Sequence, residues 1–333
     1  MNADTAILLL NLGGPVTLDH VESFLYTLFS DRDLINLPGP AWFQPTYAWG
    51  IAKIRTKGAQ QRYREIGGGS PLLRESAAQA AALRTKLREA GIQSPVKLVF
   101  RVTQPRAAGL LKALKKDGVT KLLPVTLYPH DCKATTGSSI RELEREAAAQ
   151  GFELLEGVRH YAGDDDYLDA VAEPIRAALA ENPYATVVFS AHSLPVKQIQ
   201  AAGDPYEAEI KACVAALKAR IGEIPGGFVL AYQSRVGPIK WLGPNLRDVF
   251  KDFGGRDIIV VPISFVSEHI ETLHELDIEY RHLAKQAGIL SYVRVPTPGT
   301  HPAYIRCLTR RTLQALETEA GSRKPEASAG GAR

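Results

Sequence analysis

Thr186-Val187-Val188-Phe189-Ser190-Ala191-His192-Ser193-Leu194-Pro195 is a β-branched apolar run that breaks off in Ser-Ala-His-Ser before a proline. Consecutive apolar positions, in place of an alternation, mark a strand buried on both faces, and Pro195 cannot continue it. His192 therefore falls at the carboxyl end of a buried strand, the edge at which open α/β sheets bind ligands.

Similar apolar runs lie at Ala6–Asn11, Val96–Val102, Leu122–Leu127, Glu153–Val158, Phe228–Tyr232 and Ile258–Ile263, separated by amphipathic stretches such as Leu73–Ala90 and Asp166–Ala180. Strands alternating with helices mean parallel sheets covered on both faces. One sheet of this size would be large for a single domain, and the segment Gly157–Asp166 interrupts the pattern. The expected fold is α/β with two Rossmann-like domains, each a parallel sheet flanked by helices, and the active-site cleft between them. Residues 1–160, rejoined by about 296–318, make the first domain, and 161–295 make the second, which carries His192. Residues 319–333 lack periodicity and are expected to form a disordered tail. No sequence repeat relates the halves.

A second stretch, Ser267-Glu268-His269-Ile270-Glu271-Thr272-Leu273-His274-Glu275-Leu276-Asp277-Ile278-Glu279-Tyr280, sets five carboxylates and two histidines in twelve positions without a Lys or Arg. Glu271, Glu275 and Glu279 fall at i, i+4 and i+8 on one helical stripe, where each like-charged pair costs about 0.2–0.5 kcal/mol. A sequence that breaks a local rule without local compensation marks a site. Carboxylates and imidazoles take up protons or hard cations near neutral pH, so the stripe can hold or pass either. An acidic, solvated helix face is the plain alternative.

The 333 residues suffice for two domains, and 45% hydrophobic content is that of a soluble globular protein. A net charge of +4 with scattered Lys and Arg argues against a nucleic-acid partner. No run of about 18 uncharged apolar residues spans a membrane, and the first strand starts too close to Met1 for a targeting peptide, so a cytoplasmic location is expected. Cys132, Cys213 and Cys307 have no close pairing and read as reduced thiols.

Residues Asn36–Trp49, within a lip at about 34–57, fit neither strand nor helix: two Trp, a Phe and a Tyr stand among three prolines. Exposed aromatics of this kind suit a greasy ligand or a membrane surface. Lys53, Arg55 and Lys57 follow, suited to lipid headgroups or to the carboxylates of an amphipathic ligand.

From Leu8 to about Thr312 the chain resembles the ferrochelatases, the terminal enzymes of haem synthesis. The resemblance rests on Leu9-Leu10-Asn11-Leu12-Gly13-Gly14-Pro15, Tyr63-Arg64-Glu65-Ile66-Gly67-Gly68-Gly69-Ser70-Pro71, Thr135-Thr136-Gly137-Ser138-Ser139, the His192 motif, Gln233-Ser234-Arg235-Val236-Gly237-Pro238 with Trp241-Leu242-Gly243-Pro244, and the acidic stretch. It implies insertion of Fe(II) into a porphyrin with release of two pyrrole protons. It further implies that His192 faces the ring centre as proton acceptor or metal-inserting group, kept neutral by burial. Glu271, oriented by His269, would lie on the opposite wall, and Glu275 and Glu279 would extend the proton or metal path. His192, Glu271, Glu275 and Glu279 are thus the expected metal-handling residues, on a helix with a π-type segment. Leu12, Tyr63, Ser70, Arg101, Tyr128 and Trp241 would contact the ring, and Arg55 with Trp42–Trp49 would form the lip.

Two places depart from the family pattern: Val102-Thr103-Gln104-Pro105 after Arg101, and His130-Asp131-Cys132-Lys133 after Tyr128-Pro129. Both bear on the pocket wall. Iron and porphyrin are substrates, and no prosthetic group is expected. Some family members hold an iron–sulfur cluster through four cysteines; three cannot complete one without another ligand, so none is expected here. Leu12 offers no oxygen to a metal, which favours protoporphyrin IX over coproporphyrin III. Trp42, Phe43 and Trp49 are the expected peripheral contact with the inner face of a membrane. The alternatives are a chelatase for another metal or ring, such as cobalt insertion, and a non-catalytic tetrapyrrole-binding protein. A dinucleotide-binding reading fails because Gly13-Gly14-Pro15 lacks the Gly-x-Gly-x-x-Gly spacing.

Overall fold

β1 (Thr5–Asn11) is buried along its whole length, as its unbroken apolar run requires. It lies between β2 (Val96–Phe100) and β3 (Lys121–Thr126), with β4 (Glu153–Leu154) beyond β3, all parallel. β5 (Thr186–His192), β6 (Phe228–Gln233), β7 (Asp257–Pro262) and β8 (Ser291–Arg294) form a second parallel sheet in the order β6-β5-β7-β8. The winding is the same in both: the first strand is central, the next goes to one side and the third to the other. The halves thus share a topology that their sequences do not reveal. Winding reverses at β1 and at β5, and the crevice beyond the carboxyl ends at such a point is where these sheets bind ligands. Leu12 follows β1 and His192 ends β5, so the topology by itself selects both loops.

The computed structural model describes residues 4–37 and 39–321. Among them the apolar runs become strands within a residue or two, except that Glu153–Val158 pairs as a strand only over Glu153–Leu154, with an isolated bridge from Val125 to Val158. β8 is unanticipated. Its four residues are all half-buried, so they give no apolar run. The main core joins both sheets, with Ile7, Leu9, Val125, Val187, Phe189, Ile259 and Tyr304 in one cluster. Burying each such side chain contributes about 1.5–3 kcal/mol. The helix Pro302–Gly321 closes over it, packing against both α3 (Leu72–Glu89) and the helix Asp165–Glu181. That helix includes the first residues assigned to the tail; 322–333 lie outside the described residues.

The crossover from β1 to β2 carries the lip as well as α3. α1 (Val21–Ser30) and α2 (Gln44–Glu65) form a hairpin with its own core of Val21, Leu25, Phe29, Ala48, Ala52, Ala59 and Tyr63. Ile270, from the second half, packs on this core. The segment expected to be irregular is helical from Ala41, a 3₁₀ turn leading into α2. Pro45, a breaker inside a helix, falls in the first turn, where its missing N–H is one that no helix satisfies. No helix among the described residues is long and apolar enough to cross a membrane.

Candidate active site

The backbone of His192 is clamped from two sides. Its N–H donates to Ser264 Oγ at 3.0 Å, and its C=O accepts from Tyr206 Oη at 2.9 Å. Its Nδ1 lies 2.9 Å from Glu271 Oε2, and both side chains keep 30% of their surface accessible. His192 and Glu271 are therefore direct partners, not residues of opposite walls. The reason is topological: β7 pairs with β5, so the segment that follows β7 crosses the carboxyl end of β5. Burial lowers the pKa of the imidazole, but the Glu271 carboxylate outweighs burial and Glu275 adds to it, so His192 titrates above its ordinary value. Burial alone does not keep it neutral. Burial likewise raises Glu271, yet His192 and His269 hold that carboxyl far below the usual range. His269 contributes with Nε2 at 3.8 Å from Glu271 Oε2, while its Nδ1 donates to Ser267 C=O at 3.1 Å.

The acidic stretch is a π-helix over Glu271–Tyr280, as the resemblance implied. Such wide turns recur at functional sites. Compensation for the acid run comes from β8. Arg294 clasps Glu268 at 2.7 Å and Asp277 at 2.5 Å. Among the described residues this leaves Glu271, Glu275 and Glu279 as the three carboxylates of the stretch without a Lys or Arg partner. Glu275 is gripped by Ser234, whose N–H and Oγ donate at 2.8 and 2.5 Å, and by Gln233 Nε2 at 3.1 Å. Burial and the nearby Glu271 charge still raise its pKa. Glu279 lies further out, with 46% of its side chain accessible. The stripe thus runs from a closed end at His192 to an open one. The four residues assigned to metal handling do not form one cage: among the described residues no three His, Cys, Asp or Glu are placed to hold an ion together.

His274 was given no role by sequence, yet it is buried with Nε2 2.8 Å from Glu65 Oε2 and Nδ1 3.5 Å from Glu279 Oε1. Glu65 ends α2, so this imidazole ties the lip helix to the π-helix. Gln79 on α3 makes a second tie, donating to Val266 C=O, Ser267 Oγ and Gly299 C=O at 3.0 Å each. Neither tie has a sequence signal, because each joins residues separated by some two hundred positions.

The remaining candidates divide. Tyr63 is buried in the lip core within reach of the Glu271 charge, and burial raises its pKa. Ser70 donates its N–H to Pro15 C=O at 2.7 Å, and its Oγ would collide with a Cβ at Gly14. The two Gly-rich motifs therefore interlock. Leu12 is half-buried, with its N–H held by Asn11 Oδ1. Tyr128 Oη faces Ser139 Oγ at 3.4 Å. Trp241 is half-buried and its Nε1 has no hydrogen-bond partner among the described residues. Arg101 is not open to the cleft. At 4% exposure it is enclosed by Asp31 and by Glu142 at 3.3 Å, a carboxylate cage from α1's end and the helix Ser138–Gln150. Arg55 stacks on Phe29, its guanidinium carbon 5.6 Å from the ring centre. In the lip, Trp42 is 77% and Trp49 60% exposed, while Phe43 is half-shielded between Trp42 and Tyr47. Lys53 is occupied by Glu22 at 2.5 Å. His130, in the second departure, is buried with neither ring nitrogen hydrogen-bonded among the described residues, and burial pulls its pKa down to about 3.

A family model described as Ferrochelatase matches residues 4–316. A ferrochelatase from a Nostoc species is 43% identical over 320 residues, covering 93% of this chain and 82% of the relative. One from a Synechocystis species is 42% identical over 322 residues with the same coverage. Among solved structures, SirB from Bacillus subtilis, with Fe3+, superposes with a TM-score of 0.57 at 16% identity, covering 96% of this chain and 98% of that one. CbiX, the terminal enzyme for siroheme biosynthesis in denitrifying bacteria, gives 0.50 at 15% identity over 94% and 98%. These two share the fold. With the motif-bearing strand ends, the π-helix and a match over nearly its whole length, the chain belongs to the ferrochelatase family, the metal-inserting lyases of haem synthesis.

Proposed function

We propose that this chain inserts Fe(II) into protoporphyrin IX to give protohaem and two protons, with His192 as proton acceptor and Glu271 as its partner. The observation that carries the assignment is the 2.9 Å contact between His192 Nδ1 and Glu271. An Nδ1–H donated to the carboxylate fixes the neutral tautomer and leaves Nε2 as the base. When Nε2 takes a proton from a pyrrole N–H, the electron pair stays on the pyrrole nitrogen to bond the entering metal. The imidazolium formed is stabilised by Glu271, which is what a raised pKa means for a base. Glu275 and then Glu279 offer a route by which protons leave or iron arrives, since one is held inside and the other reaches solvent.

Protoporphyrin IX is favoured over coproporphyrin III because Leu12 and the lip present apolar surface, at ~25 cal/mol per Å² buried, to an edge without extra carboxylates. The exposed Trp42 and Trp49, with Phe43, support peripheral membrane contact of a cytoplasmic protein. Three cysteines are too few for a four-thiolate centre, which supports the absence of an iron–sulfur cluster.

Anaerobic assay of the purified protein with Fe(II), following the Soret band, tests the reading. Protohaem should form with a higher kcat/KM for protoporphyrin IX than for coproporphyrin III. His192→Ala should lose ~10²–10⁴-fold in turnover while still binding the ring. Undiminished turnover in that variant removes His192 from the chemistry, and a preference for coproporphyrin III removes the ring assignment.

A further inference from the structure

Pairing of β5 with β7 ends at Ser190 and Pro262, whereas pairing with β6 runs on to His192 and Gln233. His192 therefore has a strand neighbour on one side only, and its own N–H and C=O go to side chains where a ladder would otherwise hold them. The donor count orders these bonds. A phenol has one hydrogen, and that of Tyr206 goes to His192 C=O. The 2.8 Å contact between Tyr206 Oη and Ser264 Oγ must then be donated by the serine, whose oxygen in turn accepts the His192 N–H. Three hydrogen bonds thus close a circuit, from His192 N–H to Ser264 to Tyr206 and back to His192 C=O, around the backbone that aims the imidazole.

Tyr206 is buried and opens the helix Tyr206–Ile221, and residues of the first half seat that helix. Asp204 accepts from Tyr206 N–H at 3.0 Å and, with its other oxygen, from Lys133 N–H at 2.8 Å. Glu209 accepts from Asp131 N–H at 2.8 Å. The His130 ring stands edge-on to Tyr206, their centres 6.1 Å apart. The departure after Tyr128-Pro129 is thus the surface on which Tyr206 rests, and it follows β3, in the sheet that does not carry His192. We propose that Tyr206, with Ser264, is a positioning residue for His192, and that the docking of residues 130–133 on Asp204 and Glu209 sets it in place. This rests on the reading of His192 as proton acceptor. A displacement of about 1 Å costs a reacting group on the order of a hundredfold. Both hydroxyls are spent on the circuit, so losing one should leave porphyrin affinity alone.

Turnover and binding together separate this role from plain packing. With Fe(II) and protoporphyrin IX, Tyr206→Phe should lower kcat about tenfold and leave the porphyrin KM unchanged. Ser264→Ala should do the same, and the double variant no more than either. In a His192→Ala background Tyr206→Phe should cost nothing further, because no base is left to position. Asp204→Asn keeps one carbonyl acceptor, enough for Tyr206 N–H but not for Lys133 N–H as well, and should lower kcat less with KM again unchanged. Should Tyr206→Phe fail to fold, as lost porphyrin binding and a lost thermal transition would show, Ser264→Ala carries the same test. Wild-type kcat in either single variant overturns the proposal, as does a KM that rises as kcat falls, or an equal loss from Tyr206→Phe with and without His192. Wild-type kcat in Asp204→Asn removes the first half from it. Full turnover in His192→Ala alone overturns the proton-acceptor reading instead, a result distinct from all of these.

Discussion

Ser234→Ala asks whether Glu275 must be held ionised. Of the three donors on that carboxylate, Ser234 supplies two, and alanine removes the hydroxyl at 2.5 Å while keeping the N–H at 2.8 Å. A hydrogen bond to a charged group is worth about 1.5–3 kcal/mol net, and each 1.4 kcal/mol is a factor of ten. Burial and Glu271 already raise the pKa of this carboxyl, and Ser234 together with the His192 charge pulls it back. Without the hydroxyl it rises further, and the carrier spends more time neutral at pH 7. Metallation should slow near neutrality by no more than the roughly ten- to hundredfold that the lost bond is worth and recover toward alkaline pH, with porphyrin affinity unchanged. Ser234 also sits at φ 66°, a left-handed conformation that costs a non-glycine residue roughly 1–2 kcal/mol. Ser234→Gly loses the same hydroxyl and relieves that cost. It should match Ser234→Ala in rate across a pH series by stopped-flow Soret absorbance, yet melt at a higher temperature. Wild-type rates in both variants at every pH would take Glu275 off the path, and a rate difference between them would mean that backbone shape, not the hydroxyl, matters.

Glu271→Gln should change how stability depends on pH. The Glu271 carboxyl is depressed below its ordinary 4.5, so its contribution is present above that value and lost as pH falls through the folded one; His192 is raised above 6.5, so its contribution is present below 6.5 and lost as pH rises through the folded value. The wild-type advantage in stability, about 1–2 kcal/mol for a pair left 30% accessible and read as a difference in Tm, should therefore peak between those ordinary values, and a difference that keeps growing above them refutes the pairing. His274→Ala and Glu65→Gln should each raise the porphyrin KM more than they lower kcat, and the double variant should do no more than either; additive effects would show that the two do not act as one tie. Gly157→Ala should destabilise by about 1–3 kcal/mol in thermal unfolding, since a Cβ there would sit 1.9 Å from Pro124 O, and an unchanged melt would mean that the loop yields freely.

What was legible in the sequence follows from range. Seven strands and His192 at a strand end were readable because period and proline are local signals. The acidic stripe was readable as a broken local rule, but its compensation was not, because Arg294 lies on a four-residue strand that buries no face. The partnership of His192 and Glu271 spans 79 positions and depends on β7 lying beside β5. The family resemblance placed the two on facing walls. It also read Arg101 as a ring contact, since the carboxylates that enclose it come from two other helical regions.

The burial of Cys132, Cys213 and Cys307 has a bearing on survival in use. Ferrous iron and dioxygen together generate peroxide and radicals, and protein sulfur is the first target of both. Thiol oxidation needs a thiolate and access. Here burial pushes the Cys132 and Cys213 thiols up to about 12, and Cys307 is raised as well with none of its surface exposed. The single methionine of the chain is its first residue. An enzyme that handles iron in its reducing form thus keeps its cysteine sulfur where leaked oxidants from its own substrate have little to attack.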